Sequence, residues 1–66
     1  MRQFEIHMPE TTATRLWDRL DADGRRDCGR SMVIVEYDDL SRAEVGLHLA
    51  KSDGADSGEI YPVRGM

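Results

Sequence analysis

Apolar and polar positions alternate strictly at the start of the chain: Phe4, Ile6 and Met8 are interleaved with Gln3, Glu5 and His7. That period of two predicts a half-buried strand over residues 2–8. Pro9 has no N–H to donate and ends the ladder. The period then changes. Ala13, Leu16, Trp17 and Leu20 fall at i, i+3, i+4 and i+7, one apolar stripe that predicts a helix over residues 10–22. Thr11 or Thr12 is placed to cap its start, and Pro9-Glu10 suits a first turn. Gly24, after Asp21-Ala22-Asp23, is a stop signal. Residues 23–30 carry two glycines and five charges in eight positions, which predicts a loop.

Residues 32–37, Met-Val-Ile-Val-Glu-Tyr, form a continuous β-branched run and predict a strand. Val33, Val35 and Tyr37 face one way and Met32, Ile34 and Glu36 the other. A chain of 66 residues with one clear helix covers one side of a sheet. Met32 and Ile34 are therefore expected on an uncovered face that wants a partner.

The following segment admits two readings. Ser41-Arg42-Ala43-Glu44 matches a capping box, which starts a helix at 42 with Leu40, Ala43, Leu47 and Ala50 on one face. Val45 and Leu49 then lie opposite, and Gly46 sits mid-helix at a cost near 1 kcal/mol. As a strand, Val45, Leu47 and Leu49 alternate with Glu44, Gly46 and His48. We read it as a strand, with Asp38–Arg42 as a hairpin loop and the helix over 42–51 as the alternative. Residues 51–58 read as a polar loop, and residues 59–64 as a short last strand that Pro62 confines to an edge.

The expected architecture is thus α+β: a small β-α-β-β-β domain spanning residues 1–66, one helix packed on one face of a mostly antiparallel sheet. The alternative order is β-α-β-α-β. The expected core is Phe4, Ile6, Leu16, Trp17, Leu20, Val33, Val35, Val45 and Leu47, with Ile60 beside them.

Composition narrows the function more than it identifies one. So short a chain is marginally stable and gains from oligomerisation. Cys28 is the one cysteine, which excludes an intrachain disulfide and fits a reducing compartment. The N-terminal residues lack the apolar core of a signal peptide, and no run approaches a membrane span. We expect a cytoplasmic protein with no membrane partner.

No cofactor, metal or catalytic site is expected. His7, His48 and Cys28 lack any spacing that places two ligands on one element. Arginines near Cys28 would activate its thiol, but a small side chain in a solvated loop explains it as well. Arg25, Arg26 and Arg30 could meet phosphates. Asp23 and Asp27 dilute them, and the net charge of −4 opposes binding to nucleic acid.

Acidic residues cluster in three places: Asp18, Asp21 and Asp23 at the helix end, Asp38 and Asp39 at the expected hairpin, and Asp53, Asp56 and Glu59 in the last loop. Such clusters complement a basic partner surface, although loop acids also serve solubility alone. We expect a non-enzymatic acidic protein-binding module whose partner is another protein or a second copy. Met32, Ile34, Asp38, Asp39, Asp18, Asp21 and Asp23 would form its binding face. In size and charge, though in no residue motif, it is similar to small phage proteins that inhibit host machinery by occupying a nucleic-acid-binding surface. The alternative is a small dimeric regulatory DNA-binding protein using Arg25, Arg26 and Arg30.

Overall fold

A computed structural model describes residues 3–54 and 59–63. The elements are β1 (Phe4–Pro9), α1 (Glu10–Leu20), β2 (Gly24–Gly29), β3 (Met32–Tyr37), α2 (Leu40–Ser52) and β4 (Ile60–Pro62). The four strands form one sheet in the order β2-β3-β1-β4, and every neighbouring pair is antiparallel. This is the split β-α-β connectivity of ferredoxin-like domains. The protein is a small α+β domain.

Alternation along β1 and β3 decides which side is inside. Ile6 stands opposite Val35 and Met8 opposite Val33, and all four are buried together with Tyr37. Ala13, Leu16 and Leu20 of α1, with Ala43 and Ala50 of α2, close over this face. Both helices therefore lie on one side of the sheet.

Helix α1 stops where Asp21 turns left-handed, at φ 51°. Asp21, and not Gly24, is the stop. At its other end α1 begins at Glu10 behind Pro9, with no side-chain cap. Neither expected threonine caps it, and Thr12 is buried. Trp17 is half-buried rather than central, with the Arg25 guanidinium lying over its ring at 5.5 Å.

Two segments differ from the sequence reading. Residues 24–29 are a strand, not a loop. β2 is an edge strand that pairs with β3 through its backbone, so its charged side chains need no apolar alternation. The hairpin tip is a two-residue turn at Arg30 and Ser31, both left-handed at φ 55° and 61°. The second segment, 41–51, is helix α2. It starts at Leu40, with the Asp39 side chain accepting from the Arg42 backbone N–H at 3.0 Å.

The inner face of α2 explains why its pattern misled. The residues it buries are Ala43, Gly46 and Ala50, all small. Gly46 sits against the Tyr37 phenol: an added Cβ would stand 2.8 Å from Cζ and nearer still to the hydroxyl. The larger aliphatics are displaced to the flanks. Leu47 and Leu49 are half-buried. Val45, expected in the core, is 58% exposed, and Leu40 is 46% exposed. β4 forms as expected, pairing with β1 at the sheet edge.

Candidate functional site

The sheet face away from the helices is organised by charge. Glu5 and Glu36 are direct cross-strand neighbours, a like-charge pairing that destabilises a sheet. Arg26 resolves it. From β2 it reaches over β3, its Nε donating to Glu36 at 2.9 Å and its Nη2 to Glu5 at 2.6 Å. Those carboxylates raise the Arg26 pKa above its ordinary value, hydrogen bonding to Glu36 acting most strongly.

Ile34 lies under this bridge. The parity reading put Ile34 on the face without helices, which is where it is. The expectation that it lies open is corrected: Ile34 is only 9% exposed. Its cross-strand neighbours are His7 and Arg26. Met32 is half-buried. His7 stacks on Tyr61 of β4 at 4.6 Å between ring centroids. Its Nε2 stands 3.6 Å from Glu5 Oε1 and is buried without a hydrogen bond.

The fold gives several of the expected acidic residues partners within the chain. Arg42 grips Asp23 with both terminal nitrogens, at 3.1 and 2.7 Å, and also donates to the Asp21 carbonyl at 3.1 Å. Asp23 accepts from the Asp38 backbone N–H at 2.8 Å as well. Asp39 caps α2. Asp23, through Arg42, thus holds α2 against the end of α1, and half-buried Asp38 lies in the same joint. Asp18 and Asp21 are exposed. Asp53 ends α2 and pairs with Arg15, which holds its carboxyl below the usual carboxylate range. Asp56 lies outside the described residues.

Two of the three arginines of the nucleic-acid alternative are also engaged within the chain. Arg26 bridges two carboxylates; Arg25 covers Trp17 and lies 4.0 Å from Glu10. Cys28 is exposed, as its glycine-flanked position suggested. A recess of about 210 Å³ lies between the hairpin tip and the start of α1, lined by Glu10, Asp27, Gly29, Ser31 and Met32. It is smaller than the roughly 300–1,000 Å³ of ligand pockets. Among the described residues no three His, Cys, Asp or Glu converge as a metal site requires, and no helix is long and apolar enough to cross a membrane.

Exposed large hydrophobics remain around β4, at Tyr61 and Val63, and on the outer side of α2. Sequence reasoning missed the α2 face because Val45 was assigned to the core. The signal was present in the small residues at 43, 46 and 50, spaced to form one close-packing helix face. No family model, curated protein or solved structure matches the chain, so the functional reading rests on this geometry.

Proposed function

We propose that the protein is a non-enzymatic protein-binding module that works through the outer face of α2. The observation that carries this reading is the exposure of Leu40 and Val45, at 46% and 58%, on a helix whose inward positions are Ala43, Gly46 and Ala50. Isolated exposed aliphatics are ordinary. Here, however, half-exposed Leu49 stands one turn from Val45 on the same helix, and half-exposed Leu47 lies on the opposite flank, towards Leu40. The net charge of −4 favours a basic partner surface, which is the form an inhibitor of a nucleic-acid-binding protein would take. Asp18 and Asp21 remain exposed for that purpose. Asp23 and Asp39 are committed to the fold, so the helix face supports the reading better than the acidic loops do.

The test replaces Leu40 and Val45 together by Glu. Both side chains are exposed, so the variant should keep the wild-type circular dichroism spectrum and unfolding midpoint. It should lose the proteins that the wild-type chain retains from lysate under matched conditions. Retention of an identical set by both chains would remove α2 as the binding face.

A further inference from the structure

The two edges of the sheet are protected unequally. β4 spans only Ile60–Pro62 and carries a proline, both ordinary devices against strand pairing. β2 spans Gly24–Gly29 and presents a longer edge. Charged side chains usually guard such an edge, but here the arginines turn away from it. Arg26 is drawn inward over β3 to Glu36 and Glu5. Arg25 is drawn inward over Trp17 and towards Thr14 and Glu10 of α1. The outward backbone groups of residues 24–27, ahead of the register shift between Asp27 and Gly29, are left without those guards. Asp27, exposed beside them, has no ion pair among the described residues.

We propose that β2 is a self-pairing edge, and that two copies join antiparallel through it into one eight-stranded sheet. Side-chain parity fixes the register. With helices of both copies on the same face, only residues that point the same way can stand opposite one another. Arg25 points to the helix face, and Asp27 shares that face by alternation. A two-fold axis at Arg26 therefore places Asp27 of each copy opposite Arg25 of the other. The symmetric contact contains this opposite-charge pair twice. At the axis the two Arg26 side chains meet, but each is already held by two carboxylates of its own chain. So short a ladder buries little area, and its dissociation constant is expected on the order of 10⁻⁴ M. The contact is separate from the outer face of α2, which stays open in the dimer.

Sedimentation equilibrium from about 1 µM to about 1 mM reads the association directly. Hydrogen exchange at the two ends of that range reads its location. The wild type should pass from monomer to dimer, and β2 amides should slow at high concentration while α2 amides do not. Asp27→Lys, a surface change, should weaken association at least about tenfold, because each copy then sets a cation against Arg25. A wild type that stays monomeric at about 1 mM overturns the proposal. So does a dimer that is indifferent to Asp27→Lys and leaves β2 exchange unchanged. Neither result touches the α2 reading, which the Leu40 and Val45 substitutions test on their own.

Discussion

Replacing Gly46 by Ala should destabilise this protein, although helix propensity argues for the opposite sign. Alanine is favoured over glycine inside a helix by about 1 kcal/mol. The added methyl would stand 2.8 Å from Tyr37 Cζ, and Tyr37 is fully buried. Overpacking of that kind costs about 1–3 kcal/mol. The ring cannot simply swing aside, because its hydroxyl donates to the Leu20 carbonyl at 2.7 Å in a buried bond. Breaking that bond strands a buried acceptor, at about 1–3 kcal/mol. The opposing terms leave a net loss of about 2–3 kcal/mol, a large part of a small domain's stability. Urea unfolding followed by circular dichroism measures it. Tyr37→Phe removes the atom nearest the new methyl, so the double variant should lose less than the two single losses combined. A Gly46→Ala protein more stable than wild type would refute the packing argument. Strict additivity in the cycle would refute the role of the hydroxyl.

Burial pushes the Tyr37 phenol up to about 12. The folded state therefore holds that proton more tightly than the unfolded chain, whose phenol titrates near 10. The resulting stability is complete below pH 10 and is lost as pH rises from about 10 to 12, by on the order of 2–3 kcal/mol. Tyr37→Phe should lack this component of the alkaline loss in a pH series of urea midpoints. Arg26→Ala should unmask the Glu5–Glu36 repulsion and lower the thermal midpoint, and adding Glu36→Gln should recover part of the loss. Equal midpoints for Arg26→Ala with and without Glu36→Gln would show that the bridge does not offset that repulsion. Arg30→Asn with Ser31→Gly supplies the residues that a left-handed two-residue turn prefers, and should raise the unfolding free energy by about 1 kcal/mol.

The elements legible in the sequence are those whose burial follows a simple period. β1, α1 and β3 each bury one periodic set, and β4 was marked as an edge by Pro62. β2 left no such trace because its pairing is made by backbone, and its side chains serve other elements: Arg25 the tryptophan of α1, Arg26 the glutamates of β1 and β3. α2 was hidden for the opposite reason. Its aliphatic residues are displaced from the core by small ones, so Val45, Leu47 and Leu49 imitated a strand. Gly46 counted against a helix, yet Tyr37 requires a residue without a side chain there. The acidic clusters were legible as charge but not as roles. Asp23 becomes a structural anchor only when Arg42, nineteen positions away, is brought beside it.

The bond from the Val63 N–H to the Gln3 carbonyl, at 2.7 Å, makes the domain nearly annular. Residues 3 and 63 are side by side, so a short glycine-rich linker could join them without spanning the fold. New termini could then be cut at Arg30–Ser31, the exposed tip where two consecutive non-glycine residues are held left-handed. Cutting there frees both from that conformation and leaves all four strands intact. Such a circular permutant should fold with native-like stability, and its new ends would emerge from the β2–β3 hairpin instead of beside β1 and β4.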